Sequence, residues 1–116
     1  MMVMEFAHKK KWVFVSGENF ESISFPPSFW MVMLPTWSEQ DFSIIESLST
    51  DIEKKGIPIF ILDIDDNLAL QKLESKFGAW PTILQTPALV LYEDGKVVNS
   101  FYRIVGTQTI PSKGMW

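Results

Sequence analysis

Thr86-Pro87-Ala88-Leu89-Val90-Leu91-Tyr92-Glu93-Asp94-Gly95-Lys96-Val97-Val98 is the stretch on which the fold turns. Pro87 lacks an N–H for a strand ladder, so it opens a strand rather than sitting inside one, and Thr86-Pro87 marks where a loop becomes β-structure. An apolar and aromatic run follows, closed by Glu93. Asp94-Gly95 tolerates positive φ at both central positions of a two-residue type I′ turn, so the stretch predicts a hairpin whose second strand runs from Lys96 to Tyr102.

Composition bounds what such a chain can be. At 116 residues, 47% hydrophobic and 21% charged, it is long enough to bury one core, and residues 1–116 read as a single domain. A net charge of -4 and a pI near 4.9 argue against nucleic-acid binding, which needs clustered Lys and Arg. Lys9 to Lys11 is the one basic run and reads as part of a solvated N-terminal arm. There is no cysteine, which removes disulfides, thiolate chemistry and cysteine metal sites together. Met1 to Ala7 is too short for a signal core, and no segment approaches the length of a membrane span. The expected location is the cytoplasm, with no membrane contact.

Outward from the hairpin, the elements follow from punctuation and period. Lys11 to Val15 predicts a short strand ended by Ser16-Gly17, and Asn19 to Ile23 a helical turn. Pro26-Pro27 forbids a helix, and the unbroken apolar run Phe29 to Leu34 then has the character of a strand buried on both faces. Ser38 reads as the N-cap of the clearest helix, with Asp41 three residues on and Phe42, Ile45, Leu48 and Ile52 at helical spacing. Lys54, Lys55 and Gly56 end it. Ile57 to Ile64 is a second interior strand. Asp65-Asp66-Asn67 turns the chain into a helix from about Leu68 to Phe77, closed by Gly78, and Ala79 to Gln85 is a loop carrying Trp80-Pro81. A helical crossover between parallel strands followed by an antiparallel hairpin implies α/β architecture with a mixed sheet.

That order, with the residues at its junctions, resembles the thioredoxin-like superfamily over about Trp12 to Gly106. Leu62-Asp63-Ile64-Asp65-Asp66-Asn67 is similar to that family's third strand and its exit. Thr86-Pro87, the apolar strand and Asp94-Gly95 are similar to its cis-proline and hairpin, and Trp37 falls where its members carry the tryptophan before their two cysteines. The resemblance implies a mixed sheet flanked by helices. It also exposes departures. Trp37-Ser38-Glu39-Gln40-Asp41 puts oxygen side chains at both redox positions, so dithiol exchange is chemically excluded. Val32 stands where the family's buried carboxylate would be.

Ser38 could serve as a hydroxyl nucleophile or as the group that holds a glutathione thiolate in some transferases of this fold. Asp41 already places negative charge there, however, which disfavours a second anion. The one histidine, His8, lies in the N-terminal arm. A capping box of Ser38 and Asp41, with Trp37 covering the helix start, accounts for these residues without chemistry. Asp63-Ile64-Asp65 is superficially similar to a phosphatase aspartate pair, but too little chain follows to complete such a site. It does not match a calcium loop either. Solvated turn carboxylates, with Asp66 or Asn67 capping the helix, are the reading taken.

In the family a final helix follows the glycine equivalent to Gly106, whereas residues 107–116 here form a short tail interrupted by Pro111 and Gly114. The expectation is that this helix is missing or replaced, so that either part of a sheet face lacks cover or Ile110, Met115 and Trp116 fold back over it. The expected function is therefore non-catalytic, that of a protein-binding, chaperone-like or assembly subunit acting through the cis-proline groove, an uncovered sheet face, or both. Trp37, Ser38, Asp41, Trp80, Thr86 and Pro87 would form a groove for a protein partner or extended peptide segment, with homodimerisation as a further possibility and no cofactor or metal. The alternative is a glutathione-binding enzyme using Ser38.

Overall fold

The computed structural model describes residues 2–78 and 86–101. In chain order these form α1 (Val3–Lys10), β1 (Val13–Val15), a 3₁₀ turn (Phe20–Ser22), β2 (Ser28–Leu34), α2 (Glu39–Glu53), β3 (Ile59–Asp63), α3 (Asn67–Phe77), β4 (Ala88–Glu93) and β5 (Lys96–Phe101). The strands make one five-stranded sheet in the order β1-β3-β2-β4-β5. β3 runs parallel to both β1 and β2, and β4 runs antiparallel to β2 and β5.

β2 and β3 have no polar alternation because both of their faces are covered. Trp30, Val32, Leu34, Ile59 and Ile61 face α2, while Phe29, Met31, Met33, Phe60 and Leu62 face α3. On the α3 side Phe29 stacks on its cross-strand neighbour Tyr92 at 4.8 Å, and Phe25, Phe60 and Phe77 close around the pair. Burying each such side chain contributes about 1.5–3 kcal/mol. The hairpin forms on its two-residue turn, with φ of 52° at Asp94 and 79° at Gly95. A bulge between Leu91 and Tyr92 interrupts the β4–β5 register.

The N-terminal residues are not a solvated arm. They form α1, whose Val3, Phe6 and Ala7 are buried in the core under α2. Phe6 meets Trp12 edge-on at 5.7 Å and Phe42 at 5.3 Å, a contact available because Val3, Phe6 and Ala7 share one helical face. Of the three lysines expected in solvent, Lys11 is exposed, but Lys9 and Lys10 clamp this helix to α2. Lys9 and Lys10 pair with Glu46, and Lys10 also donates to Ser49 at 3.1 Å. Hydrogen bonds from Lys10 and Lys9 hold the Glu46 carboxyl below its ordinary value of 4.5. Trp12 Nε1 donates to Glu53 at 3.0 Å, so the clamp follows α2 to its last turn.

The uncovered sheet face expected from a missing final helix rests on residues 107–116, which lie outside the described residues. Within them, Leu89 and Leu91 on the α2 face of β4 are buried. Apolar exposure on the sheet falls on its two edge strands, at Val13 of β1 and at Val97 and Val98 of β5.

Candidate functional site

The register brings the loops of interest to one end of the sheet. Val15 pairs with Leu62, Leu34 with Asp63, and Met33 with Ala88, so the carboxyl ends of β1, β2 and β3 and the start of β4 lie together. In open sheets of this kind, ligands gather where the parallel strands run out.

β2 leaves the sheet through the buried Pro35 and turns into α2. Ser38 is the N-cap of that helix, and its Oγ accepts the Asp41 N–H at 3.3 Å. The Ser38 N–H donates to the Pro35 carbonyl at 3.3 Å, taking up the donor that the return half of a capping box would use. Asp41 is 8% exposed, its carboxylate held in the first turn where the helix dipole favours negative charge. Trp37 does not cover the helix start. It is 73% exposed, because the turn closed by Ser38 and Pro35 leaves the indole outside it.

Across β2, the Thr86–Pro87 peptide bond is cis, with Pro87 buried and Thr86 half-buried. Since Met33↔Ala88 is the last rung of the β2–β4 ladder, Pro87 lies one residue beyond it, alongside the exit of β2. Trp80, expected to join this group, lies outside the described residues. The structure thus places Trp37, Ser38, Asp41, Thr86 and Pro87 at the same end of the sheet and joins Ser38 to Asp41 by a direct hydrogen bond.

The acidic turn after β3 is structural in its hydrogen bonding. Asp66 caps α3 through the Ala69 N–H at 3.0 Å, and its other oxygen accepts from Gly17 at 3.0 Å. Asp63 Oδ1 accepts from Asp65 N–H at 2.9 Å and Oδ2 from the Thr36 hydroxyl at 2.9 Å. The Val3 N–H donates back to Thr36 Oγ1 at 3.4 Å. Thr36 therefore joins the start of α1, the exit of β2 and the end of β3. Sequence reasoning missed this residue; its one signal was a hydroxyl directly before the motif tryptophan. Among the described residues no group of His, Cys, Asp or Glu is arranged to hold a metal ion.

The chemistry available here is limited. No thiol exists in the chain, and His8 lies in the last turn of α1, beside the lysines that reach Glu46 rather than at the Val3 end that meets Thr36. The Ser38 hydroxyl is engaged as an acceptor with no base in hydrogen-bond contact among the described residues. What the arrangement offers is an exposed indole and the start of a strand. Among the described residues, no helix is long and apolar enough to cross a membrane.

No family model and no curated protein matches the chain. Solved structures do. A mutant thioredoxin from Halobacterium salinarum NRC-1 superposes with a TM-score of 0.53 at 22% identity, covering 89% of this chain and 82% of that one. Mitochondrial thioredoxin 3 from Saccharomyces cerevisiae, in its oxidised form, gives 0.54 at 14% identity over 83% of this chain and 84% of its own. Thioredoxin f2 from Chlamydomonas reinhardtii gives 0.54 at 9% identity over 78% of this chain and 82% of its own. Likeness at these identities concerns the fold, and together with the sheet order and the empty cysteine count it makes this chain a cysteine-free protein of thioredoxin-like fold.

Proposed function

We propose that the protein is a binding module rather than a catalyst, and that it holds an extended segment of a partner protein at Trp37, Ser38, Thr86 and Pro87. The observation that carries this reading is Trp37: a tryptophan left 73% exposed at the end of the sheet where β4 begins. Docking a partner over such an indole removes a large apolar area from water, and tryptophans rank among the residues that dominate interface energetics. Thr86, half-buried at the entrance to β4, lies where an extended chain could pair with the backbone.

Affinity purification followed by titration of the recovered partner tests the reading. Trp37→Ala and Pro87→Ala should each weaken binding while circular dichroism stays native, and unchanged affinity in both would end it. Calorimetry with glutathione addresses the enzyme alternative, since binding lost in Ser38→Ala would favour that reading instead. A second mode, self-association, is supported by Val97 and Val98, exposed on edge strand β5. Light scattering at high concentration tests it, and a strict monomer would remove it.

A further inference from the structure

Beside the binding site proposed at Trp37 and Pro87, on the other side of Thr36, a crevice of about 580 Å³ opens at the carboxyl ends of β1 and β3. Its apolar lining includes Met2, Met4 and Leu68, which are 53%, 43% and 49% exposed and so are not satisfied by the fold itself. Its charged lining is of one sign: Glu18, Asp63 and Asp66. The two aspartates are fixed by neutral donors, Thr36 and backbone N–H groups, which hold their carboxylates in place without neutralising them. Among the described residues no lysine or histidine pairs with any of the three. Lys9 and Lys10 reach Glu46, Lys54 pairs with Asp51, and Lys72 pairs with Glu21 while its ammonium also donates to the carbonyl of Gly17 at 2.8 Å, at the edge of the crevice.

We propose that this crevice docks a basic segment of a partner protein, with a lysine or arginine stem laid across Met2, Met4 and Leu68 and its cationic head at Asp63 and Asp66. The chemistry of the lining selects this occupant. A long basic side chain combines an apolar stem with a charged end, matching a lining that joins exposed Met2, Met4 and Leu68 to half-buried Asp63 and Asp66 and exposed Glu18. Methionines suit such a contact because their unbranched side chains repack around differing partners. An acidic or purely apolar segment would desolvate the carboxylates without supplying a counter-charge, which is costly. This site does not depend on the groove at Trp37 and Pro87.

The test uses the intact protein and a fluorescein-labelled peptide of alternating lysine and leucine, followed by anisotropy at low and at physiological salt. The account expects saturable binding weakened by salt, no binding of the glutamate–leucine counterpart, and a loss of about tenfold in Leu68→Lys. If Leu68→Lys loses its native circular dichroism, Glu18→Lys, at an exposed position, carries the same expectation. Equal binding of the glutamate peptide would overturn the proposal. So would equal weakening by Glu74→Gln, on an exposed part of α3, since that would mean attraction by the net charge alone. Binding lost in Trp37→Ala but untouched by Leu68→Lys and Glu18→Lys would place the peptide in the neighbouring groove, ending this proposal while leaving that one standing.

Discussion

Thr36 Oγ1 donates to Asp63 Oδ2 at 2.9 Å, tying the exit of β2 to the end of β3 at the point where the candidate site begins. The same hydroxyl receives the Val3 N–H, so one side chain links three segments. Thr36→Val keeps the shape and removes both bonds. It should cost about 1–3 kcal/mol, because the part-buried carboxylate and amide lose a partner. Urea denaturation checks this, and stability within 0.3 kcal/mol of wild type would show that water replaces the hydroxyl without loss.

The buried face of α1 gives a larger expected effect. Phe6 is 2% exposed between Trp12 and Phe42, so Phe6→Ala should destabilise by about 3–5 kcal/mol through lost burial and the cavity left behind. A much smaller loss would mean that α1 is detachable from the core.

Ser38→Ala should cost about 1 kcal/mol, the ordinary loss of an N-cap, since the Ser38 Oγ bond to the Asp41 N–H is its visible role. Replacing both residues, Ser38→Cys with Asp41→Cys, would place two thiols at the N-cap and third position of α2, where the dipole favours thiolate. This double variant should form an internal disulfide and accelerate reduction of insulin by dithiothreitol. Failure to form the bond would contradict the equivalence of these positions to the redox pair of thioredoxins.

Glu46 makes the clamp between α1 and α2 pH-sensitive. Lys10 and Lys9 lower its pKa in the folded state, so its contribution is fully present above the unfolded value and fades as pH falls through the folded one. Being partly exposed and screened, the cluster should be worth on the order of 0.5 kcal/mol. Glu46→Gln should therefore be less stable than wild type near neutrality and indistinguishable from it at strongly acidic pH. A gap that widens on acidification would reverse the assigned sign.

Much of the fold was legible because its strongest signals are local. Asp94-Gly95 fixed the hairpin, Ser38 the start of α2, and the unbroken run through Trp30 and Leu34 a strand covered on both sides. The first helix was not, although Val3, Phe6 and Ala7 lie at helical spacing, because eight residues ending in lysines look solvated until Glu46 and Ser49 are known to face them. Trp37 was misplaced for a related reason. Cap chemistry gives the position of Ser38 in the chain, yet the direction of the preceding indole depends on a turn closed by Pro35. The crevice at Met2 and Leu68 was invisible because it joins residues from four separated segments.

The proposed partner-binding groove joins Trp37 to the Thr86–Pro87 strand start in a domain without a redox dithiol. Its most direct test is the affinity of wild type and Trp37→Ala for the purified partner, measured by calorimetry on samples of matched circular dichroism. The account predicts a loss of at least about tenfold in Trp37→Ala, as expected for a central aromatic anchor. Equal affinities would contradict it.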